Sequence, residues 1–357
     1  MATTIYSCVY PSGYLLSEDE VARYSTRAYT GLSAWMTARK RNLATVDQIE
    51  RCEVLPGDAE HTWSVPDSQT LIDGFTTDET RYVEIVVLSG ARHNGVYNPN
   101  RYRINWTASA NYTQALQLWD NYIKIHGLQV VVNSSYVGVR GIHCLGLRIE
   151  IDSCIVKGNL TGGSAYGINL NTASTPASAK IYNNTIYDFT YSTNQSVGLV
   201  TTSGWTGQVY NNTLVDCRYG IYANAGGTIT ASNNIVQGAY DGYHNAGTWG
   251  SGSVNNISNV ASDAPGTGSK QATVIFADSA NDDFRLSASD TEARDSGYNL
   301  YSDPNCPVTL GIQGNERPMA GAFDIGADEY FTVSSTITGN ILVGKPIHGL
   351  TQGRIIL

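Results

Sequence analysis

Short apolar runs alternate with polar turn residues along most of the chain, and one pattern of them recurs. Between residues 183 and 259, an Asn-Asn pair followed by a run of alternating apolar residues occurs four times. A repeat of this period without helical periodicity indicates a solenoid built from short strands. The second asparagines of the pairs are spaced by 28, 22 and 22 residues and are Asn184, Asn212, Asn234 and Asn256.

A second signal has the same spacing. Gly220-Ile221-Tyr222 and Gly242-Tyr243-His244 each begin 8 residues after the second asparagine of their repeat, and Gly198-Leu199-Val200 begins 14 after it. A unit of about 22 residues is too short for two helices but fits three short strands and three turns. Coiled units would stack like strands in parallel, about 4.8 Å apart, around inward Ile, Leu and Val. The shared register of both signals favours this solenoid over an Asn/Gly-rich β sandwich.

The asparagines are predicted to lie at the corners of the coils. Asn tolerates left-handed backbone and forms local hydrogen bonds, and stacked Asn side chains can also bond one another along the column. The register further predicts that Ile186, Leu214 and Ile221 are buried in one column.

A lone amphipathic helix is predicted at residues 31–42, with Ser33 as its N-cap. Its apolar side consists of Leu32, Trp35, Met36 and Leu43. A solenoid exposes its core and strand edges at its first coil, so we interpret the helix as a cap rather than an ordinary surface helix. The expected domains are residues 1–45 (N-terminal segment and helical cap), 46–330 (β-helix) and 331–357 (C-terminal β tail or cap).

Composition and charge exclude several classes of protein. The net charge is −9 and no basic run is present, which argues against a nucleic-acid partner. No apolar run approaches membrane-spanning length, so no membrane insertion is expected. The six cysteines form no C-x-x-C pair and no zinc spacing, so we expect free thiols, no metal and assembly in a reducing cytoplasm. The first 13 residues do not read as a signal peptide. We therefore expect a virion or extracellular protein.

The repeats resemble those of right-handed parallel β-helix proteins of the pectate-lyase-like superfamily: Asn183-Asn184-Thr185-Ile186 and Gly220-Ile221 are examples. Phe284-Arg285-Leu286 and the segment from Asp324 to Tyr330 resemble the end of bacterial and phage β-helix proteins of the choice-of-anchor type. The resemblance covers roughly residues 48–330. It implies an all-β, right-handed parallel β-helix and a polysaccharide-facing role as lyase, hydrolase or tailspike-like adhesin. Fold does not by itself fix function.

Catalytic motifs of related enzymes are not recognisable. Of the polygalacturonase-like elements only Asp282-Asp283 occurs, outside the repeats, and no calcium cluster, G-x-S-x-G, H-E-x-x-H or phosphate loop is present. No cofactor is expected. Asp188 and Asp216 occupy the same offset in adjacent repeats, with Lys157 at that offset if Ser153 aligns with Asn184. Such carboxylates could approach the ~5 Å separation of a retaining glycosidase pair. We favour the simpler interpretation that the aspartates close turns.

A second column, two residues after each repeated glycine, is predicted to point outward because its neighbours point inward. It consists of Asn169, Val200, Tyr222 and His244. Tyr and His on a flat β face can stack on sugar rings and bond their hydroxyls, and nearby aromatic residues could extend this platform: Trp205, Tyr219, Tyr240 and Trp249. Scattered aromatics with good strand propensity are an equally favoured interpretation. Residues 92–113, rich in cations and aromatics, look like an insertion and are the next candidate for glycan contact.

The leading hypothesis is a polysaccharide-engaging surface protein or phage-virion (tailspike-like) β-helix protein, with catalysis left open. A glycoside hydrolase or polysaccharide lyase is the alternative, and a purely structural solenoid is the third. The expected partner is a polysaccharide or cell-surface glycan, and the sequence leaves both a monomer and a homotrimer open.

Overall fold

The computed structural model describes residues 2–58, 63, 67–171, 176–190, 196–202, 204–260, 262–319 and 321–331. The predicted C-terminal β tail, apart from its first residue, lies outside these described residues.

Three short helices precede most of the strands: α1 (Glu18–Tyr24), α2 (Leu32–Arg39) and α3 (Leu43–Val46). The strands are β1 (Thr3–Val9), β2 (Ala28–Tyr29), β3 (Gln48–Val54), β4 (Thr70–Ile72), β5 (Val83–Val87), β6 (Ile104–Thr107), β7 (Gln114–Leu118), β8 (Ile123–His126), β9 (Gln129–Ser134), β10 (Val139–Cys144), β11 (Ile149–Asp152), β12 (Ile155–Leu160), β13 (Ala165–Leu170), β14 (Ala177–Tyr182), β15 (Thr185–Phe189), β16 (Val197–Thr201), β17 (Trp205–Tyr210), β18 (Thr213–Cys217), β19 (Tyr219–Ala223), β20 (Thr228–Ser232), β21 (Ile235–Gln237), β22 (Asp241–Asn245), β23 (Thr248–Trp249), β24 (Ile257–Ser258), β25 (Lys270–Gln271), β26 (Phe276–Asp278) and β27 (Asp283–Leu286).

Three parallel sheets form the walls of a right-handed parallel β-helix, as predicted. The ten-stranded sheet has the order β2-β1-β3-β5-β8-β11-β14-β17-β20-β23. The eight-stranded sheet has the order β25-β24-β21-β18-β15-β12-β9-β6, and the seven-stranded sheet β22-β19-β16-β13-β10-β7-β4. Successive strands along the chain enter the three walls in turn, so each coil stacks on the one before it.

The repeats lie in the predicted register. Ile186 pairs with Leu214, and Leu199 pairs with Ile221. All four side chains are fully buried within the coils. Ile186 and Leu214 lie in the eight-stranded sheet and Ile221 in the seven-stranded sheet, so the three do not form the single column that we predicted. The six cysteines are also buried, each with a free thiol.

The first asparagine of each pair makes the corner between the ten-stranded and eight-stranded sheets. These residues have left-handed backbone with φ between 51° and 56°: Asn183, Asn211, Asn233 and Asn255. Asn adopts this conformation at lower cost than most residues, which explains its recurrence. Ser153, with φ 54°, holds the same corner one coil earlier. It therefore aligns with Asn183 and not, as we assumed, with Asn184.

The second asparagines form a buried ladder along the inside of this corner. The Nδ2 amide of Asn184 donates to Oδ1 of Asn212 at 3.0 Å, and Asn212 donates to Asn234 at 3.0 Å in the same way. Asn234 continues the ladder to Asn256 at 2.9 Å. Each accepting Oδ1 also accepts a hydrogen bond from the backbone N–H of the same asparagine that donates its side-chain amide, at 3.0 Å in every case. All four side chains are fully buried, so the ladder satisfies amides that would otherwise be costly to bury.

Helix α2 packs against the N-terminal end of the core through Leu32, Trp35 and Met36, all of which are buried. It is shorter than predicted, and Ser33 is not its N-cap. Gly31 holds that position without a side-chain hydrogen bond, and Asp67 accepts from the N–H of Leu32 at 3.0 Å. The capping acceptor comes from a distant part of the chain, so local sequence did not reveal it.

The coils begin earlier than residue 46. Strand β1 pairs in parallel with β3 over its whole length, so the N-terminal segment contributes to the ten-stranded sheet. Helix α1 was not predicted, although Ser17 and Glu20 form a capping box whose Ser-x-x-Glu signature is readable in the sequence. The proposed insertion at residues 92–113 contains β6, whose Ile104 and Trp106 are buried in the core.

The last described part of the chain, residues 262–319 and 321–331, returns along the outside of the eight-stranded sheet. Most of it forms no coil strand, which corrects our assignment of the β-helix to residue 330. Its apolar side chains build a second core against the outer face of that sheet, and both sides contribute buried residues: Tyr187, Val215, Ile235, Phe276, Phe284 and Ile325.

The corner asparagines anchor this returning segment. Asn211 donates to the carbonyls of Asp324 and Gly326 at 3.0 and 3.1 Å. Asn233 donates to Tyr298 at 2.8 Å and accepts from its N–H at 2.7 Å. The same left-handed corner that turns each coil therefore also presents a side-chain amide to the segment outside.

The segment from Asp324 to Tyr330 surrounds a buried arginine. Arg317 is 1% exposed and its guanidinium donates to Glu329 at 2.9 Å. It also donates to the carbonyls of Gly326, Ala327 and Asp328 at 2.8 to 2.9 Å. The residues from Asp324 to Tyr330 thus have a structural role, because they hold the Arg317 guanidinium.

We expect Asn212→Ala to lower the free energy of unfolding by at least about 3 kcal/mol. The substitution leaves several buried groups without hydrogen-bond partners, and each such group costs about 1–3 kcal/mol. Urea unfolding followed by circular dichroism measures this loss. The control is Asn224→Ala, whose side chain accepts from the adjacent Ala225 N–H in a turn; it should change stability by less than ~1 kcal/mol. Equal effects of the two changes would contradict a structural role for the ladder.

Candidate functional site

The outer face of the seven-stranded sheet carries two continuous rows of side chains. Residues inward of them, such as Ile142, Ile168 and Leu199, are fully buried, so the rows face away from the core. The members in the middle of the rows are nonetheless buried: His143, Asn169, Val197 and Val200. The first row is Gln114, Arg140, Tyr166, Val197, Tyr219 and Asp241. The second row is Gln117, His143, Asn169, Val200, Tyr222 and His244. We call this surface the lateral face.

Tyr222 and His244 are brought together at one end of the lateral face, at the offset that the sequence predicts. Their ring centroids are 4.5 Å apart, and Tyr219 lies 4.9 Å from His244. Asp241 accepts a hydrogen bond from Nδ1 of His244, with a separation of 2.6 Å. The carboxylate therefore orients the imidazole, and the two tyrosine rings pack around it.

Asn169 lies in the same row near the middle of the lateral face. It is register partner of both Val200 and His143. His143 was not predicted, although Gly141-Ile142-His143 carries the same glycine signal as the other members of the row.

The two predicted tryptophans do not belong to this face. Trp205 lies in β17 of the ten-stranded sheet and is completely buried, so its indole cannot contact a ligand at the surface. Trp249 pairs with the inward Ile229, and its ring lies 5.9 Å from that of the buried Tyr243. It covers the end of the core. Neither residue lies two positions after a glycine of the repeated signal, so the sequence pattern did not indicate whether its side chain points inward or outward.

A groove of about 450 Å³ continues the lateral face at its N-terminal end. Met36 of helix α2 and Lys40, which follows the helix, form one side of this groove, and the sheet forms the other with Leu71, Gln114 and Gln117. The two rows therefore run from the groove to the His244 end without leaving the sheet.

Asp188 and Asp216 lie elsewhere, on strands β15 and β18 of the eight-stranded sheet. Both have left-handed backbone within their strands, with φ of 65° and 49°, a conformation that Asp tolerates better than most residues. Lys157 pairs in register with Tyr187 and not with Asp188. Its ammonium nevertheless lies 3.9 Å from Asp188 and 2.5 Å from Asp282 of the returning segment.

Burial and the nearby Asp282 carboxylate, with a smaller contribution from Asp216, raise the pKa of Asp188 to about 6 against the opposing effect of Lys157. Burial and Asp282 also raise the pKa of Asp216. The lysine joins the coil to the returning segment by binding carboxylates from both. The pair is therefore part of a tertiary contact and is not on the lateral face.

Within the described ranges, no group of three or more His, Cys, Asp or Glu side chains is arranged to hold a metal ion. No helix in that part of the chain has the length and apolar character needed to cross a membrane.

No protein-family model matches the chain, and no curated protein matches it. Among solved structures, the chain is similar to the crystal structure of pectate lyase Pel9A, with a TM-score of 0.32 and 13% sequence identity. The match covers 92% of this chain and 97% of that chain.

The Asp188 cluster makes a titration prediction. Lys157→Met should move the pKa of Asp188 above about 6, because it removes the cation that opposes burial, and Asp282→Asn should lower it. Carboxyl ¹³C NMR of the folded protein measures both shifts. If neither change moves the pKa, the three side chains are not coupled.

The same cluster predicts a pH dependence of stability. The pKa of Asp188 is higher in the folded chain than its ordinary value, so its contribution is fully present below pH ~4 and is lost as pH rises through about 6. Asp188→Asn keeps a residue that tolerates left-handed backbone and removes this titration. The unfolding free energy of wild type should therefore fall relative to that of this variant between pH 4 and 7. A constant difference would contradict the raised pKa.

Proposed function

We propose that the protein binds an extended polysaccharide along the lateral face. The observation that carries this proposal is the pair of continuous rows of aromatic, imidazole and amide side chains on stacked parallel strands. At about 4.8 Å per strand the rows are roughly 25 Å long. A surface of this length suits several successive sugars better than one small molecule.

The side chains of the face match the chemistry of a sugar chain. Tyr219 and Tyr222 offer ring surface to the apolar faces of sugars, and amides such as Gln114 and Gln117 offer donors and acceptors to hydroxyls. Each sugar would contribute little, and affinity would increase with the number of sugars bound at once. This proposal fits an extracellular surface protein or a tailspike-like virion protein that holds a cell-surface glycan.

A second function, cleavage of the bound chain, is favoured by the Asp241–His244 pair. An aspartate on Nδ1 leaves Nε2 of the imidazole as the proton acceptor, the arrangement of a general base. His244 lies in the row, so it would face the polymer. Asp188 and Asp216 lie on a different sheet, so they have no part in this proposal.

We expect Tyr222→Ala combined with Tyr219→Ala to weaken binding of a retained polysaccharide by about tenfold or more, since two stacking rings are lost. Affinity electrophoresis against a panel of immobilised polysaccharides measures this loss. The control is Tyr301→Ala, an exposed tyrosine of the returning segment. Unchanged retention of the double variant would move the binding surface elsewhere.

The same polysaccharides, incubated with wild-type protein, separate binding from cleavage. Release of reducing ends that is lost in His244→Ala, with retention preserved, would support the enzyme. Retention without new ends supports the binder.

A further inference from the structure

A second groove of about 450 Å³ lies on the outer face of the ten-stranded sheet, away from the lateral face. Four neighbouring coils line it, so at about 4.8 Å per strand it spans roughly 14 Å along the solenoid. Its side chains are partly exposed, with 33% of the Lys124 side chain accessible, so a molecule in solution can reach them. Coil by coil, the polar and aromatic side chains of the lining are Glu79 and Tyr82, Tyr122 and Lys124, Arg148 and Glu150, and Ser178 and Lys180.

Two large side chains of this groove stand on left-handed backbone. Tyr122 and Arg148 hold the corner between the seven-stranded and ten-stranded sheets in adjacent coils, with φ of 52° and 65°. This conformation is more costly for a bulky residue than for the asparagines of the other corner. Backbone of this kind persists where the surrounding structure enforces it, and it is frequent at ligand sites. The corner therefore presents a ring and a guanidinium to the groove at positions where Gly or Asn would be less costly.

Positive charge is in excess at one end of the groove. Arg148 donates from Nη1 to the carbonyl of Pro176 at 2.7 Å, and Lys180 is the register partner of Glu150. Neither cation forms an ion pair within the described ranges. Glu150 is already engaged, since Nζ of Lys124 lies 3.8 Å from its Oε2. Three cations and one carboxylate therefore leave two positive charges for an external group.

The opposite end of the groove is acidic, and an open aromatic ring lies between the ends. Glu79 is exposed and also forms no ion pair among the residues that the structure describes. Lys124 covers the ring of Tyr82, with its ammonium 4.1 Å from the centroid. No other aromatic ring stacks on Tyr122 in that part of the chain.

We propose that this groove binds a phosphate monoester of a ring compound, with the phosphate between Arg148 and Lys180 and the ring against Tyr122. The site lies on a different wall of the solenoid from the lateral face, so it is independent of the proposed function.

Charge and shape select this ligand. A phosphate monoester carries a charge of about −1.5 to −2 at pH 7 and matches the two positive charges, whereas a carboxylate or a sulfate ester carries only one. The planar guanidinium of Arg148 can bind two phosphate oxygens at once, and Lys180 adds a point charge. Glu79 would repel a polyanion that filled the groove, so the ligand carries its charge at one end.

Isothermal titration calorimetry of the full chain tests the site with phenyl phosphate, methyl glucoside 6-phosphate and methyl glucoside 6-sulfate. We expect saturable binding of at least one phosphate ester, which identifies the ring as aromatic or as a sugar. The sulfate ester should bind at least about fivefold more weakly, because it carries one charge fewer. Affinity for the phosphate ester should increase as pH rises through about 6, where its second ionisation occurs, and affinity for the sulfate ester should not.

Substitutions then place the ligand within the groove. Arg148→Gln and Lys180→Gln should each weaken binding of the phosphate ester by at least about tenfold, because each removes a charge-assisted contact. Tyr122→Asn keeps a residue suited to left-handed backbone; it should weaken binding of the ester but change that of inorganic phosphate by less than about twofold. The matched control is Lys270→Gln, a lysine of the eight-stranded sheet that pairs with Glu292 at 2.8 Å. Far-UV circular dichroism and urea unfolding verify that each variant folds.

Three results would contradict the proposal. No binding of either phosphate ester, or binding that Arg148→Gln and Lys180→Gln leave unchanged, would overturn the site. Equal affinity for the phosphate and sulfate esters at pH 7 would overturn the assignment of a dianion. Equal losses of ester and inorganic phosphate binding in Tyr122→Asn would overturn the ring contact.

Discussion

The buried ladder of side-chain amides sets the register on which the rest of the molecule depends. Asn184, Asn212 and Asn234 each bond the next asparagine through both side chain and backbone. A slip of one residue would place every outward side chain inside and leave these amides unpaired in the core. Because the coils cannot slide, residues two positions after each repeated glycine fall in one row. The continuity of the lateral face is therefore a consequence of hydrogen bonds on the opposite side of each coil.

The three outer walls of the solenoid have different surroundings. The eight-stranded sheet is covered by the returning segment, and Lys157 and Asp282 fasten the two together. The ten-stranded sheet carries a row of alternating charges across its strands, in which opposite neighbours compensate one another: Arg51, Glu84, Lys124, Glu150 and Lys180. The lateral face carries no such alternation of charge, because its rows hold Arg140, Asp241 and His244 among neutral side chains.

The sequence predicted the fold where the asparagine repeats are regular and failed where other residues hold the same corners. Gly127 and Ser153 occupy the left-handed position in earlier coils, and both lack the side chain that marks the later repeats. Tyr222 and His244 were predicted because a glycine at fixed spacing gave the direction of each strand. No repeated glycine indicates the orientation of Trp205, and its inward orientation depends on pairing with a strand of another coil. Contacts of the returning segment join residues far apart in the chain, so no local pattern could reveal them.

The anchoring of the returning segment has a consequence for the order of assembly during synthesis. Asn183 and Asn211 bond carbonyls 127 and 115 residues further along the chain. Until those residues leave the ribosome, the outer faces of Tyr187, Val215 and Ile235 have nothing to cover them. At about 5–20 residues per second this interval lasts on the order of 10 s. The nascent coils therefore pass through a period in which a finished solenoid exposes an apolar wall, and crowding of neighbouring chains in that period would favour aggregation over completion.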